Sequence, residues 1–411
     1  MVSRSPWRVL ALVVALASVA AACSGKAHRG STHPSPTTLT ATSAGYVVPA
    51  RLALAAPGTL IAASDAAAQA SEVGAAQGWH VLYHSTDLGN RDIAVSGLVL
   101  TPHGSPPPGG WPVVAWAHGT SGLADQCAPS LAPDLAHDPT AVNEVRALLA
   151  QGWVVVASDY PGLGTPGVHT YLIGTADARA VVDAVSAAHT LLGARASATW
   201  VTVGHSEGGQ TALFVAQIAH GRAPRWTFAG TVALAPASTL EALIPLAEAA
   251  RDPVLQAYMI YALEGLGTVD PSVDVAKLLT APARVVLPDL TTGCVDDITN
   301  DLARRHLDHL LVLGPAAEKR LNAELRRDDD PDRASSPEPI LIVQGTADND
   351  VPAVATDGMV TRLCALRDHL QYRHYPGLDH GQVVAASLST VVPWIRSRFA
   401  NEPTPNTCAP R

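Results

Sequence analysis

Five short apolar runs, at residues 113–117, 153–158, 200–204, 227–234 and 340–344, recur along the chain, with helix-length amphipathic stretches such as 141–151 and 176–192 between several of them. A strand that is apolar on both faces needs cover on both faces, which is the condition of a parallel sheet flanked by helices. The alternation therefore predicts an α/β fold with a mostly parallel, doubly wound sheet. Ahead of it, residues 79–85 and 93–101 alternate in polarity around a polar stretch at 87–92, the pattern of an antiparallel hairpin, and sheet structure is expected to start there. The rhythm breaks between about residues 237 and 339. Helical patterns, several prolines and the acidic run Asp328, Asp329 and Asp330 take its place, and the expectation is a helical cap inserted into the sheet fold.

The chain has 411 residues, 47% hydrophobic and 15% charged, enough for one large core and too apolar to be disordered throughout. Its formal charge of −9, from 27 basic against 36 acidic residues, provides no basic field to gather phosphates, so nucleic acid is excluded as a partner. Arg4 and Arg8 precede an apolar run over 9–22. This reads as an export signal, too short and too early to cross a bilayer. Cys23 follows Ala20, Ala21 and Ala22 and precedes Ser24 and Gly25, a pattern similar to a bacterial lipoprotein cleavage site. A lipid on Cys23 is the expected attachment, with simple secretion as the alternative. Residues 24–45 are rich in Ser, Thr and Pro and read as a tether. The expected organisation is a signal peptide over 1–22, a tether over 23–45, a core over 46–236 and 340–411, and a cap over 237–339.

The chemistry is concentrated at Gly204-His205-Ser206-Glu207-Gly208, followed by Gly209, directly after one apolar run and directly before an apolar helix at about 210–220. A Gly-x-Ser-x-Gly turn between strand and helix lifts the serine hydroxyl above the sheet edge, the nucleophile elbow of the α/β-hydrolase fold. A serine hydroxyl is a weak nucleophile, so a base, an acid to orient the base and donors for the oxyanion are needed. The acid is expected in Gly345-Thr346-Ala347-Asp348-Asn349-Asp350-Val351-Pro352, where Asp348 fits the recurrent Gly-x-x-Asp-x-x-Val-Pro loop and Asp350 reads as a loop or capping acid. Among 16 histidines, His380 is singled out by its place between the last expected strand, 371–374, and the last helix. His205 is expected to pack, His374 to be structural and Asp379 to cap. The oxyanion donors expected are the Glu207 NH and the loop His118-Gly119-Thr120-Ser121-Gly122, with Thr120 preferred. Five cysteines in an exported chain point to disulfides; with Cys23 set aside, Cys127, Cys294, Cys364 and Cys408 allow three connectivities.

Beyond the elbow, Val48-Pro49, Pro57-Gly58-Thr59-Leu60, Cys127-Ala128-Pro129-Ser130, Ser158-Asp159-Tyr160-Pro161-Gly162 and the 348–352 loop resemble the secretory lipases, the fungal lipase-A-like hydrolases with actinobacterial members. The resemblance runs from about residue 46 to 408. It implies hydrolysis of carboxylic esters, acylglycerols included, by Ser206, Asp348 and His380, without a metal or organic cofactor. It also implies disulfides Cys127–Cys294, to the cap, and Cys364–Cys408, to the tail. The oxyanion loop and the lipoprotein-like signal depart from the fungal pattern. A peptidase or acyltransferase on the same scaffold, and a non-catalytic surface-binding protein, are the competing readings.

Overall fold

The computed structural model describes residues 37–42, 45–241, 245, 249 and 251–408; the expected signal peptide and Cys23 lie outside them. Among the described residues, ten strands form one sheet. In chain order the strands are β1 (Thr37–Thr38), β2 (Ala41–Thr42), β3 (Gly45–Tyr46), β4 (Leu60–Asp65), β5 (Gln77–Thr86), β6 (Asp92–Thr101), β7 (Trp111–Ala117), β8 (Val154–Ser158), β9 (Ala196–His205), β10 (Thr227–Leu234), β11 (Ile340–Gly345) and β12 (Leu370–Tyr375). The sheet runs β1-β4-β5-β6-β8-β7-β9-β10-β11-β12, and β2 and β3 pair apart from it. From β8 through β12 every pairing is parallel; β4, β5, β6 and β8 pair antiparallel.

Side chains of the central strands are buried on both sides, and their alternation sorts them into two cores. In β7, Val114 and Trp116 join one apolar cluster and Val113, Ala115 and Ala117 the other. The first is covered by α1 (Ala67–Val73), α2 (Pro139–Leu149) and the last helix, α10 (Gln382–Phe399); the second by α3 (Gly174–Leu192) and α4 (Glu207–Arg222). Helices on both faces are what the double apolar runs require.

Two expectations shift. Sheet structure begins before residue 79, because β4 pairs with β5, and the C-terminal part of the expected tether joins it: β1 runs parallel to β4, and Leu39 and Tyr46 are buried against Ala62 and Leu82. Composition missed this, since backbone groups pair without apolar side chains and two anchors suffice.

Between β10 and β11 the described residues form α5 (Pro253–Val269), α6 (Val275–Leu278), a 3₁₀ stretch (Ala283–Thr291), α7 (Val295–Arg305) and α8 (Pro315–Asp328). With Leu123, residues 171–173, Ala176 and Ala237 they build a third apolar cluster, distinct from the two on the sheet. Asp252 starts α5, accepting from the NH groups of Val254 and Leu255 ahead of a proline in the first turn. Disulfides join Cys127 to Cys294 and Cys364 to Cys408. The first ties the loop after β7 to the start of α7, where Val295 NH also donates to Ser121 O (2.9 Å). The second ties α9 (Ala353–Ala365) to the tail. By chain-entropy arguments, bridges closing loops of 167 and 44 residues are worth about 3 to 5 kcal/mol each.

Candidate active site

The C-terminal ends of the parallel strands open on one edge of the sheet, and Thr120, Ser206, Asp348 and His380 lie in turns or loops there. Ser206 follows β9 at φ 58°, ψ −118°, a left-handed backbone that costs a non-glycine residue about 1 to 3 kcal/mol. Its neighbours explain why the strain holds. A Cβ on Gly204 would run into the Gly208 carbonyl, and one on Gly208 into the Ala117 carbonyl, so only glycines let strand and helix meet this closely. Ser206 NH donates to Leu234 O at 2.9 Å, and Ser206 O accepts from Gln210 and Ala237 at 3.0 and 3.1 Å. The turn is thus hydrogen-bonded on both sides.

Asp348 lies after β11 and is 5% exposed. Its Oδ1 accepts from the NH groups of Asp350 (3.0 Å) and Val351 (2.8 Å), and its Oδ2 from Gln344 Nε2 (2.9 Å) and His380 Nδ1 (2.8 Å). Burial alone would raise its pKa; the bond and charge of His380, with the NH donors, outweigh burial and hold it below the ordinary value. With Nδ1 committed to the carboxylate, His380 presents Nε2, which is buried and has no hydrogen-bond partner. Asp350 makes no such bond to His380.

His380 follows β12, three strands from β9 in the sheet order, yet its loop leans back. Ala347 NH donates to Leu378 O (3.0 Å), His205 Nε2 to His380 O (3.0 Å), and the rings of His205 and His380 lie 4.5 Å apart. Burial, then the charge of His380, pushes the His205 pKa down to about 3, so its ring stays neutral and able to donate. His205, expected only to pack, also tethers the His380 loop. Nothing in the sequence marked that second role. Gln344, at the end of β11, was missed for the same reason. His374 pairs with Asp357 at 2.9 Å, and Asp379 caps α10 through Gln382 NH at 2.8 Å.

Glu207 begins α4, and as the first helical residue its NH has no intrahelical acceptor. The 118–122 loop passes over this helix start: a Cβ on Gly119 would sit 3.7 Å from Ser206 Cβ. Thr120 is held through its hydroxyl, 2.7 Å from Tyr171 OH. Ser206 also lines an apolar cavity of about 80 Å³, walled by Leu172, Leu240, Leu255, Tyr258, Met259 and Leu263. Asn349 and Asp350 are polar exceptions in its wall. No group of His, Cys, Asp or Glu among the described residues has the geometry to hold a metal ion.

A sequence-family model of secretory lipases matches residues 139–407. The chain belongs to the secretory lipase family. No curated protein sequence matches it. Among solved structures it is similar to Candida antarctica lipase A in its closed state (TM-score 0.70, 16% identity, covering 86% of this chain and 85% of that one). It is also similar to the rice cell wall degrading esterase LipA from Xanthomonas oryzae (TM-score 0.68, 18% identity, 84% and 99%). At such identities these matches establish the α/β-hydrolase fold. As a secretory lipase, this chain is a secreted ester hydrolase acting outside the cytoplasm on ester or lipid substrates, and its disulfides suit that compartment.

Proposed function

We propose that Ser206, His380 and Asp348 form the catalytic triad of a lipase or esterase for hydrophobic acyl esters, acylglycerols among them. The observation that carries this reading is the position of Ser206: strained above the sheet edge, and part of the wall of a cavity that is otherwise almost entirely apolar. His380 Nε2 takes the Ser206 proton as Oγ attacks the acyl carbon. Asp348 keeps Nδ1–H in place and stabilises the imidazolium. The Glu207 NH and the Thr120 loop donate to the oxyanion, which collapses to an acyl-enzyme as the alcohol leaves with the proton from His380. Water, deprotonated by His380, then attacks the acyl-enzyme, and the second tetrahedral intermediate collapses to the carboxylic acid as the bond to Ser206 Oγ breaks and Oγ takes the proton back from His380. In this reading residues 46–236 and 340–411 are the catalytic core and residues 237–339 a cap that shapes the acyl pocket. Candida antarctica lipase A and the Xanthomonas esterase, by their names, support ester hydrolysis in a scaffold of this kind. We also propose that Cys23 carries the lipid that attaches the protein to the cell surface; no helix of the described residues is long and apolar enough to cross a membrane.

The test is covalent. A fluorophosphonate should label Ser206, and Ser206→Ala should abolish both labelling and hydrolysis of p-nitrophenyl esters while leaving the folded structure intact, because the nucleophile has no substitute. Labelling that persists in the variant would overturn the assignment.

A further inference from the structure

The side chain of Glu207 points into the protein directly behind the nucleophile and is 1% exposed. Its Oε1 lies 3.0 Å from His169 Nε2, and both side chains are 1% exposed. His169 Nδ1 faces Pro161 O at 3.3 Å, an atom that can only accept, so Nδ1 carries a proton. Burial would lower the His169 pKa, but the bond and charge of Glu207, with the charge of Asp177, raise it instead. A fully buried His–Glu pair is poor evidence of stabilisation, because desolvation offsets attraction and an apolar pair of equal volume often does as well. Its presence beneath the elbow calls for another role.

The surroundings of His169 indicate which. Its ring stacks against Tyr160 (5.8 Å between centroids, 9° between planes) and meets Tyr171 edge-on (5.9 Å, 74°). Tyr160 stacks on His118 (4.2 Å) and donates its hydroxyl to His118 O (2.9 Å); Tyr171 OH reaches Thr120 Oγ1 (2.7 Å). Tyr160 and Leu172 both have left-handed backbones, φ 69° and 60°, so the segment is bent at each end to bring these three rings together, at a cost of about 1 to 3 kcal/mol per residue. His169 thus sits between the two sources of oxyanion donors, bonded to the side chain of one and packed on the tyrosine that holds the other.

We propose that His169 is a positioning residue of the reaction, which, through Glu207 and Tyr171, holds the Glu207 NH and the Thr120 loop at the spacing an oxyanion requires. This rests on the catalytic reading above and adds to it the segment from Tyr160 to Tyr171, whose Ser158-Asp159-Tyr160-Pro161-Gly162 entry was conspicuous in the sequence. Displaced rather than deleted donors should cost about 10- to 100-fold in kcat, somewhat less than the loss of a donor outright.

The experiment compares His169→Gln, Glu207→Gln and the double variant. Each is assayed for kcat and KM on p-nitrophenyl butyrate, for inhibition by butylboronic acid, which forms a tetrahedral adduct on a serine, and for Tm. The single variants should lose kcat about 10- to 100-fold with KM within about threefold, and weaken the boronate by a similar factor. The double variant restores a neutral amide pair across the same gap and should regain most of kcat, since position rather than charge is what His169 supplies. Unchanged kcat in folded single variants would overturn the proposal, as would equal weakening of KM and boronate or a double variant no better than either single one. Should His169→Gln fail to fold, Tyr171→Phe removes only the hydroxyl that holds Thr120. It should lower kcat and boronate affinity together at nearly unchanged Tm, and no effect would count against the proposal. Wild-type protein that does not hydrolyse the ester, or Ser206→Ala that does, would instead refute the catalytic reading itself.

Discussion

Asp348 and Asp350 are two residues apart in one loop, and their surroundings separate them. Asp348 accepts four hydrogen bonds, one of them from His380, whereas Asp350 contributes its NH to Asp348 and lines the apolar cavity. Neutralising the residue that orients an imidazole leaves it free to adopt the wrong tautomer, at a cost on the order of 10³ to 10⁴ in rate. Asp348→Asn is therefore expected to lower kcat on p-nitrophenyl butyrate by that order, and Asp350→Asn by less than about tenfold. Steady-state kinetics of the two variants decide the matter, and the reverse ranking would move the acid to Asp350. The three loops bearing Ser206, Asp348 and His380 were legible in the sequence because each interrupts a recognisable strand-to-helix passage. His205 and Gln344 were not, because their roles depend on which strand ends lie side by side.

At the scale of elements, α5 contributes Leu255, Tyr258, Met259, Ala262 and Leu263 to the cavity that contains Ser206. These positions follow the i, i+3, i+4, i+7, i+8 spacing of one helix face. Ile260 and Leu266, equally apolar in the sequence, are fully buried in the cluster that the helices between β10 and β11 help to build; Leu243, Ile244 and Leu246 lie outside the described residues. Each methylene buried in such a wall contributes up to about 0.8 kcal/mol, so two are worth about 15-fold in kcat/KM. From acetyl to butyryl p-nitrophenyl esters kcat/KM should rise by up to that factor. Met259→Trp should narrow the cavity, lowering activity on butyryl and octanoyl esters at least tenfold while acetyl ester hydrolysis stays within about threefold. A chain-length profile that is flat in the wild type and unmoved by the substitution would remove α5 from substrate binding. The sequence indicated helical patterns between about residues 237 and 339, but neither this helix as such nor which of its faces lines the cavity.

Over the whole molecule, burial raises several carboxyls away from the triad. Glu144, in α2 beneath Trp116 of β7, accepts the Trp116 Nε1–H at 2.8 Å and is pushed up to about 7; burial likewise lifts Asp330 and Asp368 to about 6. A carboxyl whose pKa is higher folded than unfolded keeps its proton longer in the native state, so stability falls as pH rises from the unfolded value through the folded one. For Glu144 alone a shift of this size corresponds to about 3 kcal/mol. Asp348 acts in the opposite direction, its contribution present above the unfolded carboxylate pKa and lost only as pH falls through its lowered value. His205, held near 3, acts against this as pH falls below the unfolded imidazole value, so the Glu144 contribution is read by difference: between about pH 5 and about pH 8 Glu144→Gln should lose less Tm than the wild type, and an equal change in the two proteins would contradict this account. By itself the sequence determined the layered α/β architecture, the elbow at Ser206, and the loops that carry Asp348 and His380, because apolar period, strand length and the glycines of a tight turn are local properties. Only the tertiary structure decided that β1 joins the sheet, that His380 leans back over two strands to His205, that Glu207 and His169 are paired out of water, and which face of α5 looks on Ser206. These depend on contacts between residues far apart in the chain, and no local pattern encodes which of them will meet.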